Sequence, residues 1–299
     1  MASAHASMNG SSILDDNVPL SDPWITRKSR RPPPPSVVTG HLTSRQELRT
    51  RRNTVTFILQ LGEALCLPRQ TVSTSIIFFH RFFSRQSFAT HSRYDVSVAC
   101  TFLASKVDET PRKVASVVLQ SHMLLERINN STSSVITSEA APATLDLKSE
   151  EFLELKDRIL ILERVVLQTL SFDLTVSHAY KPFCDLMSLL KSKYTSGGFV
   201  TKGGENVGQQ VLAQIGVGVM NDSYGGRVWL GLRGEEIAKC AVMAAVVVKE
   251  VEVKGGGSWL EVLDLEREVW EEFVEEFNEM AECGVEEEGE EGGGKEGNL

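Results

Sequence analysis

The sequence predicts an all-α fold of two stacked helical bundles, and three observations carry that expectation. Apolar residues recur at helical spacing almost without interruption from about residue 44 to 283. No run alternates convincingly as a strand, and Pro- and Gly-rich breaks cut the chain into pieces of ordinary helix length. A chain of 299 residues is long for one helical domain and comfortable for two. With 41% hydrophobic and 24% charged residues, it has ample material for a core.

The elements follow in order. Residues 1–43 are rich in Ser, Asn, Pro and Arg, and Pro32-Pro33-Pro34-Pro35 predicts extended polyproline II rather than helix. This segment is expected to be disordered or loosely attached. A first helix over 45–65 carries Val55, Ile58 and Leu59 and is stopped by Leu67-Pro68. Pro68 opens the second helix at the position where its missing N–H costs nothing. There Val72, Ile76, Phe79 and Phe83 form one apolar face, with Phe78 and Phe82 on another. A helix apolar on several faces is a buried helix. His80 and Arg81 are then either its polar strip or groups hydrogen-bonded to neighbouring helices.

A third helix over 92–107 mixes Tyr94, Val98, Phe102 and Leu103 with small residues that permit close packing. Thr110-Pro111 starts a fourth, over 111–127, and 129–146 is a polar Ser/Thr/Ala linker. The fifth helix, 149–170, places Phe152, Leu155, Ile159, Leu162, Val166 and Leu170 on one face. The second half predicts helices over 178–194, 205–222, 234–253 and 260–283. Val246 to Val253 is β-branched, but its continuity with the run before it favours helix. The end, EEEGEEGGGKEGNL, is an acidic tail that cannot bury a core.

Chemistry is excluded more readily than assigned. The phosphate loop GxxxxGK[ST], the zinc signature HExxH and the nucleophile elbow GxSxG are all absent. The six histidines never fall at ligand spacing, and the five cysteines (Cys66, Cys100, Cys184, Cys240 and Cys283) form no CxxC pair. They read as reduced, mostly core thiols of an intracellular protein. No metal and no cofactor are expected. The amino terminus MASAHASMNG has no apolar core of a secretory signal. The longest apolar run, Cys240 to Val248, is far short of the ~18–20 residues that span a bilayer. A net charge of −9 makes the body a poor binder of nucleic acid, although residues 27–52 are basic. Arg27-Lys28-Ser29-Arg30-Arg31 has the composition of a nuclear import signal, a short pattern that also arises by chance.

Three stretches resemble a known family: LPRQTVSTSIIFFHRFFSRQSF, RYDVSVACTFLASKVDETPRKV and ILERVVLQTLSFDLTVSHAY. They are similar to the cyclin box, and within it to the transcriptional cyclins of the T, K and L group, cyclin K most nearly. The similarity runs over about 44–280 and is strongest over 60–180. Departures are Asp108 where the group has Glu, no Pro in the middle of His178-Ala179-Tyr180, a missing N-terminal Thr-Pro-Ser, and the glycine-rich Tyr224-Gly225-Gly226. The resemblance implies two tandem five-helix cyclin-box bundles with disordered ends. The N-terminal box would occupy 44–175, the C-terminal box 176–283 and the acidic tail 284–299. It also implies a nuclear regulatory subunit, not a catalyst, that binds and activates a cyclin-dependent kinase acting on RNA polymerase II. A cyclin-box adaptor of transcription or splicing is the alternative; an adaptor that bound nucleic acid would need a basic surface.

Candidate site residues come from the same resemblance. Lys106 and Glu163 fall where the family's Lys and Glu grip kinase backbone. From the sequence alone, Lys106 is a surface lysine complementing a helix dipole, and Glu163 an internal partner of Arg158 or Arg164. Leu103, Val107, Phe172 and Leu174 match apolar positions that pack on the kinase helix, with core packing as the ordinary alternative.

Overall fold

The computed structural model describes residues 22–132, 145–193, 199–253 and 256–285. The first bundle comprises α1 (Pro35–Val38), α2 (Ser44–Ala64), α3 (Arg69–Arg85), α4 (Arg93–Val107), α5 (Val114–Thr132) and α6 (Glu150–Thr169). The second comprises α7 (Tyr180–Lys193), α8 (Gln209–Ser223), α9 (Gly234–Val248), α10 (Trp259–Val262) and α11 (Arg267–Val285). The helices begin where their caps dictate. Thr43 and Gln46 close a capping box on α2, and the Ser92 and Ser149 hydroxyls accept from the Asp95 and Phe152 N–H groups. Pro68 stands at the cap of α3, one position before the predicted one.

Helix α3 is the axis of the molecule. Its thirteen consecutive residues from Thr71 to Phe83 are all buried, so no face is left for solvent. The phenylalanines pack edge to face, Phe79 on Phe83 at 5.1 Å and Phe82 on Phe83 at 5.0 Å. Of the two readings of His80 and Arg81, the structure selects hydrogen bonding to neighbours. His80 Nε2 donates to the Tyr224 carbonyl at 2.9 Å, and Nδ1 faces the Arg51 guanidinium at 3.2 Å. That arrangement fixes a neutral ring between the two bundles. Arg81 donates to the Thr175 carbonyl at 2.8 Å, in the segment that joins them.

Burial first, and the Arg51 charge second, lower the His80 pKa from its ordinary 6.5 to about 3. The unfolded chain therefore binds a proton that the folded one refuses between those values. Stability is expected to fall as pH drops below about 6.5, by up to ~1.4 kcal/mol per pH unit. Urea titrations between pH 7 and 4 check this, because His80→Asn should remove that slope.

Several expected elements are corrected. Residues 22–43 are packed, not loose. Trp24 is buried, and its Nε1 donates to Asp173 Oδ2 at 3.0 Å. The Thr26 N–H donates to the Leu230 carbonyl at 2.8 Å. Pro35 is the first residue of α1 because helix entry requires no proline N–H, and Ser36 behind it accepts from the Phe88 N–H at 2.8 Å. The basic run is an internal strap: Arg27 pairs with Glu236, Lys28 with Glu275 and Glu279, and Arg31 with Glu276. Trp24→Ala is therefore expected to cost about 3–5 kcal/mol in chemical denaturation, as for other buried aromatics; a loss below about 0.5 kcal/mol would return the segment to the loose class.

The fourth helix continues to Thr132, so the predicted 129–146 linker starts late, and its 133–144 stretch lies outside the described residues. The acidic tail beyond 285 also lies outside them, as do residues 1–21. Among the described residues the strands are β1 (Phe199–Val200) and β2 (Asn206–Val207), paired antiparallel where helix was expected from 205. Helix α9 stops at Val248, Glu250 adopts φ +50°, and Val251 bridges to Thr201. The β-branched run thus divides between helix and extended chain. The last predicted helix is broken by Asp264 at φ +47° into α10 and α11. Gly234 opens α9 so close to the Ser177 and His178 backbone that a Cβ would lie 2.6 Å from an oxygen.

Candidate functional site

The end of α4 meets the middle of α6 on one side of the first bundle. Lys106, in the last turn of α4, reaches Glu163 on α6, with Nζ donating to Oε1 at 2.6 Å. The ammonium also lies 4.0 Å from the centre of the Phe102 ring. The predicted partners of Glu163 were Arg158 or Arg164; Arg158 pairs with Asp95 instead, at 3.5 Å. The two residues meet because α4 and α6 pack along their small and apolar faces. The Lys106 side chain is 46% exposed and that of Glu163 12%, so the pair lies at the rim of the core with its outer side in solvent.

The apolar candidates divide. Leu103 is 3% exposed and belongs to the core, the ordinary alternative to a partner contact. It sits one helical turn before Lys106, on the inner side of α4 against α3 and α6. Val107 and Leu174 are partly buried and pack on the same core. Phe172 is different: it is 69% exposed.

Its exposure is built into the end of α6. Phe172 N–H donates to the Leu167 carbonyl at 3.0 Å and Ser171 N–H to the Gln168 carbonyl at 3.0 Å. This is a Schellman closure, usually made with glycine. Here Ser171 and Phe172 adopt φ +54° and +60°. A bulky residue in the left-handed region costs of order 1–3 kcal/mol, and such strain clusters at functional sites. Arg85 steadies the turn by donating to the Thr169 carbonyl at 2.8 Å and to Ser171 Oγ at 3.1 Å.

Sequence reasoning missed three neighbours of this face. Leu153, Leu160 and Ile161 on α6 are exposed, and Leu160 lies one turn before Glu163 on the same side. Their signal was present: α6 has more apolar residues than one buried stripe requires. The arrangement is a half-exposed charged pair with a solvent-facing leucine one turn away and an exposed phenylalanine closing the same helix. Such a face suits a protein partner, since apolar anchors around a few charges are the make-up of a docking surface.

A tandem helical bundle with this mixed face defines a helical interaction module. The family described as "Cyclin, N-terminal domain" matches residues 24–175. The chain therefore belongs to the cyclin family.

Relatives of two kinds place it in the T/K group. It is 32% identical over 240 residues to Cyclin-T1-3 of Oryza sativa subsp. japonica, covering 80% of this chain and 44% of that one. It is 31% identical to Cyclin-T1-5 of Arabidopsis thaliana, covering 84% and 37%. Cyclin-K of Homo sapiens is 29% identical, covering 89% and 40%. The chain thus spans less than half the length of each of these relatives, and K-type similarity is not singled out from T-type. In fold it is similar to a chain of the yeast RNA Pol II CTD kinase CTDK-1 complex, with TM-score 0.57, 18% identity, and coverage of 78% of this chain and 67% of that one. A chain of the yeast TFIIK (Kin28/Ccl1/Tfb3) complex gives TM-score 0.53 at 18% identity, covering 88% and 95%.

Proposed function

We propose that this chain is the regulatory subunit of a cyclin-dependent protein kinase that acts in RNA polymerase II transcription, in the nucleus, and that Lys106, Glu163, Phe172, Val107 and Leu174 form its kinase-docking face. The observation that carries the reading is the Lys106–Glu163 pair, closed at 2.6 Å between α4 and α6, with the exposed and strained Phe172 in the turn that ends α6. Lysine offers donors to partner carbonyls and glutamate offers acceptors to partner amides, while Phe172 offers apolar area. Together they can hold a helix in one orientation.

Activation is then a population shift. The subunit binds the kinase state in which its active-site helix is swung in, and that helix's Glu reaches the Lys that aligns ATP phosphates. The shift equals the differential affinity for the two states. Membership of the T/K group supports this direction, as do the kinase complexes named for the similarly folded chains.

The test is reconstitution. The purified chain, added to a panel of transcription-class cyclin-dependent kinases, should raise the activity of at least one on heptad-repeat peptide, saturably and in one-to-one stoichiometry. A chain that neither binds nor stimulates any member of the panel would sink the reading.

A further inference from the structure

On the surface where the N-terminal strap crosses α3, the chain encloses a cleft of about 170 Å³. Four arginines line it, Arg31, Arg51, Arg85 and Arg227, together with Trp24 and Ser84, and no acidic side chain does. In a chain of net charge −9 such a concentration of one sign is unexpected.

Two of the four charges are neutralised from behind. Arg51 is paired with Glu47 and Arg31 with Glu276. The other two are held less closely, the Glu276 carboxylate acting on Arg227 only at longer range. Among the described residues no carboxylate forms an ion pair with Arg85 or Arg227. Arg85 is held in place without one: its guanidinium lies 3.9 Å from the centre of the Trp24 ring, and one nitrogen is fixed on Thr169 and Ser171. Among the described residues its remaining N–H groups have no hydrogen-bond partner. Arg31 also keeps a spare donor. Its side chain is 10% exposed, and buried Nη2 has no hydrogen-bond partner, the nearest carboxylate oxygen being that of Glu272 at 3.6 Å.

We infer that this cleft is a binding site for a dianionic phosphate group, free or as a monoester. Two guanidinium groups without an ion-pair partner among the described residues suit the charge of about −1.5 to −2 that such a group carries at pH 7, whereas a single carboxylate would leave one of them unpaired. The planar forks of Arg85 and Arg227 suit tetrahedral oxygens, and Trp24 with the flanking prolines gives the cleft walls that bring no competing acceptor side chain. Through Arg85 the site adjoins the turn that carries Phe172, but its test reads anion binding alone and does not depend on the kinase reading.

Titration calorimetry of the full chain tests it, with inorganic phosphate and with O-phosphoserine as probes at constant ionic strength in chloride. Saturable binding is expected, weakened about tenfold by Arg227→Gln and further by Arg85→Gln with Arg227→Gln. Melting temperatures in chloride show whether the variants fold; the single Arg227→Gln change, on a partly buried side chain, keeps the test usable if the double variant does not. Tighter binding of phosphoserine assigns a protein-borne monoester, and tighter binding of inorganic phosphate assigns the free ion; both sustain the anion site. Heats identical in wild type and folded variant, or no saturation above the chloride background, overturn it.

Discussion

Arg51→Met is expected to destabilise the protein by about 3–5 kcal/mol, the cost of leaving one member of a buried ion pair without its partner. Arg51 and Glu47 are both completely buried, one turn apart on α2, with Nε donating to Oε1 at 2.5 Å. The remaining nitrogens are also engaged. Nη2 donates to the Phe83 carbonyl at 2.8 Å, and Nη1 to His80 Nδ1 and the His80 carbonyl at 3.2 and 3.3 Å. Phe83 belongs to the last turn of α3, whose carbonyls have no helical donor, so the guanidinium caps that helix from the side. Through His80 the same group orients the hydrogen bond to Tyr224 that joins the bundles.

Methionine fills most of the volume and supplies no donor. It therefore strands the Glu47 carboxylate and the Phe83 carbonyl together. Replacing Glu47 by Met as well should recover part of the loss, since the uncompensated charge is gone, but not the part due to the Phe83 carbonyl. Urea denaturation of both single variants and the double variant gives the coupling. Losses that simply add would mean that the two side chains act independently, and the account of a capped ion pair would fail.

This network marks the border of what the sequence discloses. The burial of α3 was legible, because Val72, Ile76, Phe79 and Phe83 repeat at helical spacing and Phe78 and Phe82 leave no polar face. The partners of its polar residues were not. His80 meets Tyr224 across 144 positions and Arg51 across 29, and periodicity reports only which face of a helix is turned inward, not what waits there. The strap from Trp24 to Arg31 was misread for a related reason. Proline, arginine and serine are the composition of a linker, and it takes distant partners, Asp173, Glu236 and the carboxylates of α11 up to about 251 residues away, to turn the run into ordered structure. The strand pair of two residues each is too short for alternation to show. In the candidate site, the resemblance brought Lys106 and Glu163 together, and in the structure their side chains are in contact. Composition alone left Glu163 paired within its own helix. Leu103 was left open between core and partner contact, because an apolar residue beside a candidate lysine looks the same in sequence whether it faces in or out, and in the free chain it is buried.

Lys106→Ala or Glu163→Ala is expected to weaken kinase binding at least about tenfold, and the double variant to abolish activation, with the free chain still folded. The argument turns on how the value of the same two charges changes with their surroundings. In the free chain Lys106 is half exposed, and a pair at such a rim is worth about 0–1 kcal/mol after screening and side-chain entropy. Losing it should scarcely move the melting temperature. A docked partner would remove that solvent, and truncating one member of a desolvated charge pair costs about 2–5 kcal/mol. Phe172→Ala should act in the same direction through lost apolar area, and it relieves little strain because alanine is also disfavoured at φ +60°. Lys113→Ala is the control: this exposed lysine lies just before α5, forms no ion pair among the described residues, and should be silent. Kinase affinity by surface plasmon resonance, with the melting temperature of each free variant, separates the outcomes. Normal affinity in both single variants would remove Lys106 and Glu163 from the docking face. Unfolding of both free variants would instead assign the pair to the fold, as the joint between α4 and α6.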